Sequence, residues 1–197
     1  MRFTAFGEDP VTVARRLLGQ RLVRVLDGER LAGTIVEVEA YLGASDRAAH
    51  SFGGRRTARN ESMYLPGGHA YVYFTYGMHH CFNLVCGPPG EAVAVLVRAL
   101  EPTEGLAAMF ARRPAARRTR DLCRGPARLT QALAVDRELD GIDLCTSKVL
   151  YLERLRHRAL PGHRIATTAR VGVAYAGAWA RRRLRFLING SEYVSPG

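Results

Sequence analysis

Two carboxylates and a phenol recur at every second position of one stretch of the chain, as Glu37, Glu39 and Tyr41. In a β-strand, residues of equal parity share a face, so these side chains lie together while Val36 and Val38 point to the opposite, apolar face. A carboxylate that meets a substrate in this way can act as a general base. The pattern indicates the floor of a cleft, and a solvated face of an edge strand is the alternative.

Aromatic side chains are concentrated in the segments that follow. Tyr71 and Tyr73 share a face of a predicted strand, and Tyr76 stands at the tip of a predicted hairpin. His50 belongs to the loop that precedes them. Flat rings with polar rims suit stacking on bases, at about 1 to 3 kcal/mol per base, and a ring at a hairpin tip can fill the gap left by an extruded nucleotide. Base stacking and an aromatic core cluster both remain open.

The segment between residues 43 and 68 has little apolar periodicity, and its GGRRTARN stretch carries Arg55, Arg56 and Arg59. Long irregular loops inside compact domains are usually functional. Glycine lets backbone approach phosphate closely, and arginine forks onto phosphate oxygens. We expect these arginines to contact a phosphate backbone, although each taken singly also fits an ordinary surface loop.

A zinc site would require ligands from His79, His80, Cys81 and Cys86, which carry the imidazole and thiolate groups that zinc prefers. Adjacent residues on a strand point to opposite faces, so at most one of the two histidines can join any one site. A second pair of ligands is missing from the pattern. We therefore expect no metal site and no cofactor.

The elements that must position these residues follow from periodicity and from turn signals. A helix over 11–19 is predicted after the Asp9-Pro10 start signal, and two strands over 21–26 and 31–42 flank a turn at Gly28. The remaining predictions are two strands within 69–86 meeting near Gly77, a strand over 92–100, helices over 103–113 and 126–135, and strands near 169–177 and 184–190. Residues 1–197 are thus expected to form one mixed domain.

The chain carries 29 Lys and Arg residues against 18 Asp and Glu, for a net charge of +11. Such an excess on one domain attracts polyanions, and nucleic acid is the first partner to consider. Lys148 is the only lysine, so a coding bias towards arginine is the alternative explanation of the charge.

Location is predicted from the first residues and from the cysteines. MRFTAFGEDP reaches acidic residues and a proline before any apolar run that could serve as a signal peptide. No run approaches the roughly 18 apolar residues of a membrane span. The four cysteines lack disulfide or zinc spacing. We expect a cytoplasmic protein with reduced thiols, associated with a prokaryotic nucleoid.

Five segments in order resemble the alkyladenine (3-methyladenine) DNA glycosylase family, and together they cover nearly the whole chain: VEVEAYLGASDRAAHSFGGRRTARNESMY, YVYFTYGMHHCFN, LVRALEP, GPARLTQALAVD and ARVGVAYAGAWARRRLRF. The resemblance implies an α+β fold, in which a largely antiparallel curved sheet is flanked by helices and a β-hairpin protrudes to intercalate into DNA. It implies an enzyme that removes alkylated or deaminated purines from double-stranded DNA without a metal. An enzyme that acts on one extruded base needs no symmetry, so we expect a monomer.

The resemblance also implies residue roles. Glu39 would activate the water that attacks the sugar, and Arg98 would help to position it. Tyr76 would enter the minor groove as the wedge, with Met78 beside it on the hairpin. The residues implied at the flipped base are Tyr41, His50 and Tyr73, which would enclose it, and Asn83, which would meet its exocyclic group. The family often has an aromatic residue where His79 stands, which leaves the support of the wedge open.

Two other functions compete with this hypothesis. A damaged-DNA-binding module without catalysis would use the same arginines and aromatics, and a metal-dependent nuclease would use Glu37, Glu39, Asp46 and His50. A glycosylase with lyase activity would need an amine, for which Lys148 and the N-terminus are the candidates. The sequence leaves open whether Glu37 tunes Glu39 by like-charge proximity or faces solvent.

Overall fold

An antiparallel sheet lies at the centre of the computed structural model, which describes residues 1–4, 6–75 and 77–196. Its strands are β1 (Arg21–Leu26), β2 (Glu29–Tyr41), β3 (Ala70–Thr75), β4 (His79–Val85), β5 (Ala94–Glu104), β6 (Leu150–Glu153), β7 (Ile165–Thr168) and β8 (Arg185–Ile188). The helices are α1 (Pro10–Leu17), α2 (Leu106–Arg112), α3 (Thr119–Leu122) and α4 (Pro126–Ala132). The mixed α+β fold that the resemblance implied is confirmed.

The sheet is built around β2. The strands pair in the order β3-β4-β5-β2-β1-β6, and β8 joins β2 beyond the end of β1 and carries β7 on its other edge. The register between β2 and β5 shifts on both sides of Glu37. In this arrangement Leu96 on β5 and Arg185 on β8 flank Glu39 from opposite sides.

Helix α1 begins where the sequence predicts. The Asp9 side chain accepts hydrogen bonds from the backbone N–H groups of Val11 and Thr12, both at 3.0 Å, and thereby satisfies donors that a helix start leaves unpaired. Val13 and Leu17 on the inner face join an apolar core that also takes in the inward residues of β2, β4 and β5 and of α4. The helices therefore cover one face of the sheet.

The β3–β4 hairpin extends beyond its neighbours, because β4 pairs with β5 only through Asn83–Val85. The hydroxyl of Thr130 on α4 donates to the backbone carbonyl of His80 at 2.9 Å and supports the outer half of the hairpin. Met78 beyond it is 70% exposed. Tyr76, the predicted wedge, lies outside the described residues.

The predicted strand near 169–177 is wrong. The stretch is a turn followed by a 3₁₀ helix, Ala174–Arg181. Gly172 and Gly177 have φ of +75° and +60°, a left-handed conformation that interrupts a strand. Val173 packs with Ala48 and Ala176 in a small apolar cluster. The short strands β6 and β7 were not predicted.

The described residues include no helix long and apolar enough to cross a membrane.

Candidate active site

A cavity of about 200 Å³ opens between β2, the β3–β4 hairpin and the turn after β7. Its wall combines aromatic and polar side chains with apolar ones such as Met63 and Leu96. The wall includes Tyr41, His50, Tyr71, Tyr73, Cys81, Asn83, Arg98, Val171 and Tyr175. The structure thus brings together five of the residues predicted to act on the substrate: Tyr41, His50, Tyr73, Asn83 and Arg98.

Glu39 lies directly beneath this wall and is fully buried. Its Oε2 accepts a hydrogen bond from the Tyr41 hydroxyl at 2.9 Å, and its Oε1 accepts one from the Val171 N–H at 2.8 Å. The Nη1 of Arg98 lies 3.3 Å from the same Oε1. All three partners line the cavity, so the carboxylate is one side chain removed from the space where a substrate would sit.

The charge of Glu39 is only partly compensated. Burial raises the pKa of its carboxyl, although the Arg98 charge and the hydrogen bonds from Val171 and Tyr41 oppose this rise. Burial, reinforced by Glu39, holds the pKa of the Tyr41 phenol well above its usual value, so Tyr41 remains a donor. A buried carboxylate with a raised pKa is a stronger base than one in water, as a proton acceptor requires.

Three rings form one side of the cavity. His50 and Tyr73 meet edge to face with ring centroids 4.6 Å apart, and the Tyr71 and Tyr73 centroids are 5.2 Å apart. His50 Nδ1 lies 2.7 Å from the Tyr71 hydroxyl. Burial lowers the pKa of His50 to about 4, helped by the charges of Arg59 and Arg55, so the imidazole is neutral at pH 7. The site therefore offers uncharged ring surfaces.

Tyr41 is backed by a buried ion pair. The Arg170 guanidinium lies 4.6 Å from the Tyr41 ring centroid and binds both carboxylate oxygens of Asp46, at 2.5 and 2.8 Å. It also donates to the backbone carbonyl of Ala40 at 2.9 Å. Burial acts to raise the pKa of Asp46, but the hydrogen bonds and the charge of Arg170 hold this pKa below its usual value. The pair fixes the ring from behind.

Asn83 projects from β4 into the wall and is buried. Its Nδ2 donates to the backbone carbonyl of Tyr71 at 3.1 Å, across the β3–β4 pair. One end of the amide is therefore engaged, and among the described residues no donor reaches its carbonyl oxygen.

The three predicted phosphate-binding arginines have different surroundings. Arg55 and Arg59 line a second, neighbouring cavity of about 310 Å³ together with Arg47 and Tyr175. Arg59 also donates to the backbone carbonyl of Phe74 at 3.1 Å, whereas Arg56 forms an exposed ion pair with Glu61. The cavity holding Arg55 and Arg59 adjoins the aromatic one through His50 and Tyr175.

Within residues 1–4, 6–75 and 77–196, no group of three or more His, Cys, Asp or Glu side chains could hold a metal ion. Cys81 lines the aromatic cavity, whereas Cys86 lies in the apolar core. Of the carboxylates required by the nuclease hypothesis, Asp46 is bound by Arg170 and Glu37 by Arg98 and Arg185.

The sequence from residue 4 to residue 192 matches the model of the methylpurine-DNA glycosylase family. The chain belongs to this family. Curated members are similar over most of this chain: the mouse DNA-3-methyladenine glycosylase is 44% identical over 199 residues and the human one 46% over 200, each covering 96% of this chain. A family member from Desulfitobacterium hafniense, a putative 3-methyladenine DNA glycosylase, is 42% identical over 197 residues, which are 96% of this chain and 95% of its own length.

The chain spans only part of the mammalian family members. The matched region is 59% of the mouse protein and 66% of the human protein.

The sequence assigned no role to Arg170 or Val171, and it named Asp46 only as a metal ligand of the alternative nuclease. The backbone of Val171 and the Arg170–Asp46 pair were missed, although the ARVGVAY motif contained two of the three. Their roles depend on contacts between residues more than 120 positions apart. The motif itself was the available signal, because it was one of the five segments that carried the resemblance.

Proposed function

We propose that this chain is a monofunctional DNA glycosylase that flips alkylated or deaminated purines out of duplex DNA and hydrolyses their N-glycosidic bond with a water activated by Glu39. The observation that carries the proposal is a buried carboxylate with a raised pKa, held by three residues that line an aromatic cavity. Membership of the methylpurine-DNA glycosylase family supports the same activity, as does the similarity to proteins named DNA-3-methyladenine glycosylase.

The chemistry follows from the charge that develops on the sugar. Cleavage of an N-glycosidic bond gives the sugar oxocarbenium character, which a nearby carboxylate stabilises. Glu39 takes a proton from water while Arg98, whose Nη1 points to Glu39 Oε1, orients that water. The reaction therefore requires Glu39 in its ionised form, and activity falls as the pH drops through its raised pKa.

The damaged base binds between rings. Tyr73, His50 and Tyr41 present π faces or edges to it, and a cationic base such as 3-methyladenine is attracted to the electron-rich faces. Such a base is also a good leaving group, because it departs as a neutral molecule. Asn83 meets the exocyclic group of the purine and selects among lesions.

The DNA backbone follows the basic side of the molecule. Arg55 and Arg59 contact phosphates next to the aromatic cavity, and Tyr76 and Met78 on the hairpin enter the minor groove. Arg56 joins them when phosphate replaces its exposed partner Glu61, since exposed ion pairs are weak. The enzyme acts as a monomer in the cytoplasm, at the nucleoid, because a single extruded base requires no symmetry.

Strand cleavage is not expected. A lyase step needs an amine that attacks the sugar, and Lys148 is exposed in the turn before β6, away from the cavity wall. Incubation with duplex DNA that carries an abasic site should therefore leave the strand intact. Efficient incision there would contradict the monofunctional mechanism.

The competing function is a damage-recognition module that binds an extruded base without releasing it. Purified protein is incubated in chelator with duplexes that carry hypoxanthine or ethenoadenine and with methylated DNA, and free base is measured by chromatography. Glu39→Gln should lower the single-turnover rate by about 10²- to 10⁴-fold and leave lesion binding intact. Tight lesion binding without release by the wild type would favour the binding module, and release that needs added magnesium would favour a metal mechanism.

A further inference from the structure

Glu37, two residues before Glu39, is fully buried and has its own set of partners. Its Oε1 accepts hydrogen bonds from Arg98 Nε at 2.8 Å, Arg185 Nε at 2.7 Å and the Ser195 hydroxyl at 2.8 Å. Its Oε2 accepts the backbone N–H of Ser195 at 2.6 Å. Burial excludes one of the two roles left open by the sequence, because Glu37 does not face solvent. Its like charge adds to the rise in the pKa of Glu39, but its direct partners are two arginines and Ser195.

Ser195 is held in place by more than Glu37. Its backbone carbonyl accepts from Arg185 Nη2 at 3.0 Å, and the preceding carbonyl, of Val194, accepts from Arg124 Nε at 2.6 Å. Ser195 is itself buried. The 194–195 segment, more than 150 positions from Glu37 in sequence, is therefore bonded to β8 and to the start of the α4 region at once.

These contacts determine which atom of Arg98 reaches Glu39. Arg98 Nε donates a hydrogen bond to Glu37, and Nη2 donates one to the Ser195 hydroxyl at 3.2 Å. Only Nη1 is directed at Glu39, at 3.3 Å, which is longer than the bonds to Glu37. A hydroxyl has one donor and two acceptor positions, so Ser195 can give its hydrogen to Glu37 and still receive one from Arg98.

We propose that Glu37 and Ser195 are positioning residues that hold Arg98 by two of its nitrogens, so that it approaches Glu39 with a single nitrogen and leaves the carboxylate able to accept a proton. This inference rests on the proposed function. A guanidinium released from Glu37 or Ser195 would turn and form a two-pronged ion pair with Glu39, because that is the preferred geometry of arginine with a carboxylate. The carboxylate would then be a weaker base, and the place for the attacking water would be occupied.

The test uses variants that separate charge from position. Glu37→Gln removes a charge as well as the hold on Arg98, whereas Ser195→Ala removes only the hydroxyl and keeps the backbone N–H that bonds Glu37. Ser195→Thr retains the hydroxyl and serves as the rescue. Glu104→Gln is the control, because Glu104 pairs with Arg21 and Arg30 at the far end of β5.

Single-turnover release of 3-methyladenine is measured against pH for each variant. We expect about a tenfold lower rate for Ser195→Ala and about ten- to a hundredfold for Glu37→Gln, with near wild-type rates for Ser195→Thr and Glu104→Gln. The acid limb of the profile should move to lower pH in both slow variants. If Glu37 and Ser195 contributed only to stability, their variants would contain less folded protein. The acid limb of the pH–rate profile would then stay at the wild-type pH.

The position of the acid limb depends on the pKa of Glu39 and therefore on the described groups that face this carboxyl. These are Arg98 on β5, Tyr41 and Glu37 on β2, Tyr73 on β3, Cys81 on β4, and Arg170 and the Val171 N–H after β7. Ser195→Ala changes none of these charges, so a moved limb in that variant is the signature of a reoriented Arg98. An unmoved limb and an unchanged rate in Ser195→Ala would overturn the inference.

A readout independent of base release distinguishes the two proposals. The Glu39 carboxyl carbon is titrated by ¹³C NMR in the wild type, Ser195→Ala and Ser195→Thr. A lower midpoint in Ser195→Ala alone supports the positioning role even if the wild type releases no base, in which case the glycosylase proposal fails by itself. Identical midpoints in the three proteins would overturn the positioning role, whatever the activity.

Discussion

Glu37 and Glu39 are the same residue type, two positions apart on β2, and both are fully buried, yet their surroundings differ. Glu37 accepts four hydrogen bonds, two of them from arginines, and two of its partner residues, Arg185 and Ser195, lie outside the cavity wall. Glu39 accepts two, from Tyr41 and Val171, and Arg98 stands at a longer 3.3 Å. The number of partners, rather than burial, separates the two carboxylates.

The difference indicates how one strand can carry a structural and a reactive carboxylate. An ionised carboxylate has about four acceptor positions, and Glu37 uses its positions on protein donors. Glu39 has fewer donors to offset its burial, so burial raises its pKa, and the ionised form costs stability in the native state. Reactive groups are commonly held in such unfavourable surroundings by a well-bonded neighbourhood.

The largest expected effect is the loss of stability when Glu37 is replaced. Glu37→Ala should lower the free energy of unfolding by about 3 to 5 kcal/mol, because it leaves two buried arginines without their shared partner. Glu39→Gln should not lower it at pH 7. Urea denaturation at constant pH measures both, and equal losses in the two variants would break the comparison.

The pH dependence of Glu39→Gln has a defined sign. The folded-state pKa of Glu39 is raised, so its contribution to stability is fully present below the unfolded pKa and is lost as the pH rises through the folded value. The advantage of Glu39→Gln over the wild type should therefore grow from pH 4 towards pH 8. A constant difference across this range would contradict the raised pKa.

Arg98, the residue shared by the two carboxylates, gives the next effect. Arg98→Gln removes the charge that favours ionised Glu39, so the acid limb of base release should move upward by about 1 to 3 pH units. Glu37 retains Arg185 and should keep the fold. Single-turnover rates between pH 4 and pH 9 provide the check, and a limb that moves down would show that Arg98 does not stabilise the Glu39 anion.

The smallest effect is expected at Tyr41. Tyr41→Phe removes one hydrogen bond to Glu39 and keeps the ring, so lesion binding should be unchanged while catalysis loses about 1 kcal/mol, or roughly fivefold in rate. The acid limb should rise slightly, in the same direction as in Arg98→Gln. Fluorescence anisotropy with a lesion-bearing duplex, beside the rate measurement, separates binding from chemistry. Equal losses in both would assign Tyr41 to stacking alone.

Local patterns were sufficient for much of the sheet and for the first helix. β1, β2 and their turn at Gly28 follow from alternation, and α1 from the Asp9 cap. These signals operate over a few residues, which is why they can be read directly. The family resemblance supplied the identity of the cavity residues, most of which the structure brings together.

Long-range contacts could not be predicted in this way. Parity placed Glu37 and Glu39 on one face, but only the fold assigns Ser195 and Arg185 to Glu37. Residues 169–177 show the opposite failure, because their valines alternate as in a strand while two glycines in the left-handed region turn the chain. Contacts between residues that are distant in sequence produce no periodic pattern in the sequence, so they cannot be predicted from alternation.

The ion pair behind Tyr41 bears on the entropy of base capture. Arg170 stacks on one side of the ring and is fixed by both oxygens of Asp46, so the ring is ordered when the protein folds. A nucleobase that enters the cavity then has no loose tyrosine to immobilise, a cost of about 0.5 to 1.5 kcal/mol for a freely rotating side chain. Slow ring flips of Tyr41, visible as separate NMR signals for the two ring edges, would be the dynamic signature of this preorganisation.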